Sequence, residues 1–192
     1  MTTLNKKIIF SSGGTGGHIF PTLGIVEYFM KKGYQVKIVT DFRGSQYIKN
    51  NCQVKLFILN TDTPFNKIYF RKIYSYIKIF LSIIKSLFLL KKEKPNLVFG
   101  LGGYVSFPIS VAAKMLNIPL IIYENNMVLG RTNSYLLPFA KKILLATDTI
   151  SNYPPKYKTK IKKVGHVIRE DILNYSPLQN KKQNGHFSIL VL

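Results

Sequence analysis

Short apolar, β-branched runs alternate along the chain with longer stretches of helical periodicity. Residues 7–11, 34–40, 53–59, 96–99, 120–123 and 142–146 predict strands. Helices are predicted between them at 19–32, 68–92, 107–116 and 130–138. Gly33 ends the first helix as a C′ residue, and Pro95 and Pro119 stand just before strands. Strands that are apolar throughout, separated by helices, predict an α/β fold: a Rossmann-like, doubly wound parallel sheet covered on both faces. In such sheets ligands sit beyond the carboxyl ends of the strands, so the loops that follow them are where chemistry is sought.

The first strand runs into Ser11-Ser12-Gly13-Gly14-Thr15-Gly16-Gly17-His18 and then a helix. Four glycines at a strand-to-helix turn let backbone N–H groups approach a ligand and converge on negative charge. The pattern is not a Walker loop, since no Lys-Ser/Thr follows, and no acidic residue ends the second strand where a dinucleotide ribose would want one. Asp41, the nearest, is followed by Phe42-Arg43-Gly44, which reads as loop. His18 opens the helix, where a cation is disfavoured, and is a candidate general base. A second turn of the same style, Gly100-Leu101-Gly102-Gly103-Tyr104-Val105-Ser106-Phe107-Pro108, follows the fourth strand. Together the two turns form a cradle suited to a diphosphate. The next strand ends in Tyr123-Glu124-Asn125-Asn126, with Gly130-Arg131-Thr132-Asn133 after it, a loop equipped for sugar hydroxyls and phosphate.

The helical stretch at 68–92 is unusual. Arg71, Lys78, Lys85 and Lys92 fall seven apart with Ser75, Ser82 and Ser86 among them. These occupy an arc of roughly 120°, leaving roughly 240° nearly all apolar. One sheet face needs about 100° of that, and the surplus calls for a second apolar neighbour. The bilayer interface fits, with flanking Lys67, Arg71, Lys91, Lys92 and Lys94 meeting anionic headgroups. Crossing the bilayer would put Lys78 and Lys85 at depth. A helix buried under an adjoining domain remains the alternative.

Charge sharpens this picture without settling it. Against 28 Lys+Arg stand 8 Asp+Glu, a net charge of +20 in 192 residues. Codon bias can supply the lysines but not the scarcity of acids. The excess points to an anionic partner: nucleic acid, acidic lipid or a polyphosphate. No helix–turn–helix, zinc or aromatic RNA-binding signature is visible, so nucleic acid is not expected. Cys52 is the single cysteine, in a strand-like run, and offers neither a disulfide framework nor metal-ligand spacing; a reducing cytoplasm fits, and no signal peptide is visible. Residues 152–163, with Pro154-Pro155 and many lysines, read as surface loop; 175–184 have linker composition, and 186–192 begin a further apolar strand. The expectation is one domain over 1–164, then an interdomain segment and the first strand of a truncated second domain over 165–192.

The motifs, taken in order, resemble the MurG family of N-acetylglucosaminyltransferases. Gly-Gly-Thr-Gly-Gly-His-x-x-Pro is Gly13 to Pro21, and Gly-x-Gly-Gly-Tyr-x-Ser-x-Pro is Gly100 to Pro108. The family's His-Glu-Gln-Asn stands as Tyr123-Glu124-Asn125-Asn126, and its Gly-Asn-Pro-Val-Arg as Gly165-His166-Val167-Ile168-Arg169. The resemblance implies the N-terminal, acceptor-binding half of a two-domain GT-B glycosyltransferase. It would transfer N-acetylglucosamine from UDP-GlcNAc to lipid I, giving lipid II with inversion, peripherally at the cytoplasmic face of the inner membrane. UDP-GlcNAc would be held mainly by the missing C-terminal domain, with no metal or cofactor on this half. Inversion needs one base for the acceptor hydroxyl, a role expected of His18, with Glu124 a weaker candidate that orients the acceptor sugar. Gly13, Gly14, Thr15, Gly16 and Gly17, with Gly102, Gly103 and Tyr104, would hold the acceptor diphosphate; Asn126 would contact its sugar or peptide, and Arg169 stays in register as a substrate-binding residue. Tyr123, Asn125 and His166-Val167-Ile168 depart from the family pattern. The alternative is a stand-alone membrane-anchoring acceptor subunit of a split GT-B transferase, inactive without its donor-binding partner.

Overall fold

The structure is a computed structural model that describes residues 6–49, 54–62, 69–148, 150–151 and 153–174. Strands and helices alternate as β1 (Lys7–Ser11), α1 (Gly16–Lys31), β2 (Gln35–Thr40), α2 (Phe42–Lys49), β3 (Lys55–Ile58), α3 (Tyr69–Glu93), β4 (Leu97–Gly100), α4 (Ser106–Met115), β5 (Leu120–Glu124), α5 (Arg131–Leu136) and β6 (Lys142–Leu145). A 3-10 segment, Pro155–Lys160, leads into β7 (Ile161–Lys163), and α6 (Glu170–Leu173) follows. The strands form one parallel sheet in the order β3-β2-β1-β4-β5-β6-β7. The α/β, doubly wound architecture is therefore the expected one.

Period-two alternation along β1 sends its residues to two cores. Ile9 joins Val98, Ile122 and Ile143 beneath α4 and α5, whereas Ile8 and Phe10 join Ile38 and Phe99 beneath α1 and α2. With apolar side chains on both faces, none of the central strands can turn toward water, which is why they read as continuous apolar runs. Chain order reverses between β1 and β4, so a crevice opens where the connections after these two strands diverge.

Three sequence readings need correction. The stretch after Asp41 is not loop but the start of α2. The Asp41 carboxylate accepts the Gly44 N–H at 2.7 Å and its carbonyl accepts that of Ser45 at 2.9 Å, the geometry of a helix N-cap. Gly44 in the first turn and the exposed Phe42 disguised it. Residues 161–163, read as part of a surface loop, form the edge strand β7. Only Ile161 turns partly inward, and the exposed Lys162 and Lys163 blunt the edge, so no apolar alternation marks it.

The third concerns α3. Its serines do not belong to a solvated polar arc: Ser75, Ser82 and Ser86 are all buried, with Leu90 and Glu93 continuing the edge. Ser86 donates to the Ser82 carbonyl at 2.7 Å and Ser82 to the Asn60 carbonyl at 3.0 Å. The serine edge thus faces the protein together with Leu90, while much of the apolar surface faces outward. Phe70, Ile73, Ile77, Phe80, Leu81 and Phe88 are exposed. Residues Phe70–Glu93 are long and apolar enough to cross a membrane, yet only 22% of the apolar window is buried within the domain. Cys52, Lys67 and the stretches at 175–184 and 186–192 lie outside the described residues.

Candidate functional site

The glycine turns that follow β1 and β4 meet over the crevice at the point of reversal. Gly103 adopts φ +76°, and a Cβ there would lie 2.5 Å from the Gly13 carbonyl oxygen, so the two turns are in backbone contact. A Cβ on Gly13 would lie 2.8 Å from Val105, the residue leading into α4. Only glycine fits either position. Buried Ser106 fastens the pair from below: its hydroxyl is within bonding distance of the carbonyls of Gly102 (2.7 Å) and Ser11 (2.9 Å) and accepts from Ser11 Oγ at 2.9 Å.

Beyond the first turn, Thr15 caps α1 in an extended conformation, and Gly16 and Gly17 open the helix. The first N–H groups of a helix have no intrahelical acceptor and present partial positive charge, and no acidic side chain occupies this first turn. His18 is the third helical residue. Its ring lies against the second glycine turn, since a Cβ on Gly102 would lie 2.9 Å from His18 Cε1. The ring is half-exposed, and its buried Nδ1 has no hydrogen-bond partner among the described residues. The site therefore combines helix-terminal amides, two abutting glycine turns and an imidazole.

Asp41, passed over in the sequence, lies beneath these turns. One carboxylate oxygen accepts from the Gly14 N–H (3.2 Å) as well as the Gly44 N–H, and the other accepts from the Tyr104 hydroxyl. It thus ties the first glycine turn, the second and α2 together. Burial alone would push the Asp41 carboxyl up. The Tyr104 hydroxyl, the Gly44 and Gly14 amides and the nearby Arg43 guanidinium together outweigh it and hold the group below the usual carboxylate range. Burial and the same carboxylate raise Tyr104 above the usual phenol range. Arg43 Nη2 donates to the Tyr104 oxygen at 3.2 Å, which sets a cation at the rim. Asp41, Arg43, Asn60, Thr61 and Tyr104 line an adjoining cleft of about 400 Å³. The signal for Asp41 lay in its place directly after β2, where an acid can reach the amides of a neighbouring turn.

At the end of β5, Glu124 is fully buried. One oxygen accepts from the Asn126 backbone (3.0 Å) and side chain (3.1 Å), the other from the Gly130 N–H (2.9 Å) and Asn133 Nδ2 (2.9 Å). Both oxygens are occupied by the loop it organises, an arrangement suited to shaping the loop and not to accepting a substrate proton. Exposed Asn126 follows it toward solvent. Arg169 stands apart from the turns, with its guanidinium carbon 4.9 Å from the centre of the Phe20 ring; that ring in turn covers Gly16. The structure thus groups His18 with residues 13–17, Gly102, Gly103 and Tyr104. It sets Glu124 with Asn126 at the end of the neighbouring strand, and Arg169 on the flank of α1. No cluster of three or more potential metal ligands occurs among the described residues.

Comparison with known proteins gives a consistent result. The glycosyltransferase family 28 N-terminal domain matches residues 8–145. A UDP-N-acetylglucosamine–N-acetylmuramyl-(pentapeptide) pyrophosphoryl-undecaprenol N-acetylglucosamine transferase of Rickettsia rickettsii is 39% identical over 167 residues, covering 87% of this chain and 43% of that protein. The crystal structure of Acinetobacter baumannii MurG superposes with a TM-score of 0.71 at 25% identity, covering 85% of this chain and 46% of the other. The glycosyltransferase SsfS6 of Streptomyces sp. SF2575 shares the fold, with a TM-score of 0.57 at 13% identity over 85% of this chain and 55% of that one. The chain spans about half the length of the curated relatives it matches.

Proposed function

The chain belongs to glycosyltransferase family 28, matching its N-terminal domain, and from that premise we propose that it is the acceptor-binding half of an inverting N-acetylglucosaminyltransferase of GT-B architecture. The reaction moves N-acetylglucosamine from UDP-GlcNAc to the muramyl sugar of lipid I, producing lipid II. The observation that carries the reading is the abutment of the two glycine turns with the His18 ring lying on Gly102. A diphosphate fits such a site because the opening amides of α1 supply positive potential at close range. Residues 13–17, with Gly102, Gly103 and Tyr104, hold it, and Asn126 meets the sugar or peptide.

His18 takes the proton of the acceptor hydroxyl as that oxygen attacks the anomeric carbon and the C–O bond to UDP breaks on the opposite face. Its half-exposed ring sits at the rim where that hydroxyl would arrive. Glu124 holds the Asn126 loop in shape and acts as a positioning residue. In a GT-B enzyme the donor-binding domain carries most of the affinity for UDP-GlcNAc, and Arg169 contributes from this side.

We further infer that α3 seats the domain peripherally on the cytoplasmic face of the membrane. Its outward side chains Ile73, Ile77, Phe80, Leu81 and Phe88 are exposed among the described residues, and exposed Arg71, Lys85, Lys91 and Lys92 can meet anionic headgroups. Lying flat suits it better than crossing, because its serine edge is packed on the domain.

Binding of a short-chain lipid I analogue tests the acceptor assignment without turnover. The wild-type chain binds, and Gly103→Ala, which forces a Cβ against the Gly13 carbonyl, weakens binding at least tenfold. Equal affinity in the two proteins would remove the glycine cradle from acceptor recognition.

A further inference from the structure

Two of the four motifs depart from the family pattern, and three of the departing residues meet in space. The Tyr123 ring is buried, and its hydroxyl lies 3.2 Å from both Asn125 Oδ1 and the Gly165 carbonyl oxygen while accepting the Val167 N–H at 3.3 Å. His166 Nδ1 lies 3.3 Å from the same Asn125 Oδ1. Where the family has His, Gln and Asn, this chain has Tyr, Asn and His, joined through one side-chain oxygen and one phenol. An imidazole at 123 ends short of the point where the phenol oxygen reaches the Gly165 turn, and a glutamine at 125 reaches one methylene further.

The joined residues hold a strap that leads to Arg169. Gly165 turns the chain at φ +82°. Val167 then settles over Gly24 of α1, where a Cβ would lie 3.0 Å from Val167 Cγ1. Arg169 follows along the same helix to stack on Phe20, and Glu170 pairs with Lys31. Fixing the turn therefore fixes the path by which Arg169 arrives beside the opening of α1.

We propose that Tyr123, Asn125 and His166 form a clasp that fastens the 164–169 strap to the end of β5 and so positions Arg169. This rests on the reading of Arg169 as a substrate-binding residue, but the clasp itself is independent of turnover. Its members act as a unit: loss of any one frees the turn.

Trypsin cleavage after Arg169, followed by mass spectrometry on the 192-residue chain, reads the strap directly. Losing the hydrogen bonds of the phenol should populate strap opening about tenfold more. Tyr123→Phe and Asn125→Ala are each expected to raise cleavage at Arg169 by roughly that factor, with sites elsewhere unchanged. The two together should do no more than either alone, because both remove the same unit. His166→Ala, which removes the ring beside the Asn125 side-chain oxygen, should raise cleavage by a similar factor. Should Tyr123→Phe lower the Tm of the whole domain, half-buried Asn125→Ala and exposed His166→Ala carry the test. Unchanged cleavage in the single variants, or multiplying effects in the double, would overturn the clasp. Since cleavage is read and not transfer, a failed transferase assay leaves this result standing, and a failed clasp leaves the transferase reading untouched.

Discussion

Replacing Phe80 and Phe88 by Asp should detach the domain from anionic membranes while leaving it folded. The two rings are 62% and 70% exposed, on the side of α3 opposite the buried serines. A phenylalanine offers about 200 Å² of surface, so each ring presents on the order of 130 Å² to solvent. Full transfer from water would gain about 3 kcal/mol per ring at ~25 cal/mol per Å². A helix lying in the interface immerses its outer face only in part, so about half of that, roughly 1.5 kcal/mol per ring, is the reasonable figure. Together the two rings contribute about 3 kcal/mol, or a partition coefficient about two orders of magnitude larger. Two carboxylates facing an anionic surface add repulsion to that loss. Flotation with vesicles containing phosphatidylglycerol measures the partition directly, and rising salt should weaken wild-type binding by screening the lysines. Circular dichroism melts should show the variant folded, since both positions are exposed. Flotation of the double-Asp variant equal to wild type, with both folded, would refute the assignment of this face to the membrane.

Asp41 and Glu124 give two further predictions. The Asp41 carboxyl is held below its ordinary value of 3.8 in the folded chain, so the ionised form contributes stability that is present above that value and lost as pH falls through the lower, folded one. Asp41→Asn should cost about 2 kcal/mol at neutral pH, a deficit that shrinks below about pH 4 in urea melts; a pH-independent deficit would contradict this. Glu124→Ala leaves the Asn126, Gly130 and Asn133 donors without their buried acceptor and should cost about 3 kcal/mol. Glu124→Gln, which keeps one acceptor oxygen, should retain more stability than Glu124→Ala, and a transfer rate surviving in Glu124→Gln would place the residue in support of the loop and not in proton transfer.

The sheet and its turns were legible because their cause is local. Strands buried on both faces must be apolar along their whole length, and a turn whose backbone touches another turn must be glycine, so Gly13 and Gly103 announced themselves. What stayed hidden depends on partners distant in sequence. Asp41 looked like a loop residue because its meaning comes from an amide 27 positions back and a phenol 63 positions ahead. The inward side of α3 was misread because serine is polar in isolation, whereas here its small hydroxyls, bonded to backbone carbonyls, allow close packing and leave Phe70, Phe80 and Phe88 outside. β7 carries only three residues at a lysine-rich edge and offers no periodicity to detect. Glu124 was visible as chemistry, but the four donors that occupy it were not.

The central group of the site is the His18 imidazole that lies against the second glycine turn. Transfer of N-acetylglucosamine to a lipid I analogue, measured with the donor-binding half supplied in the same polypeptide, compares wild type with His18→Ala. The prediction is a fall in kcat of roughly a hundredfold to ten-thousandfold with acceptor affinity nearly unchanged, the signature of a lost general base. Turnover equal to wild type would contradict it and remove His18 from the reaction.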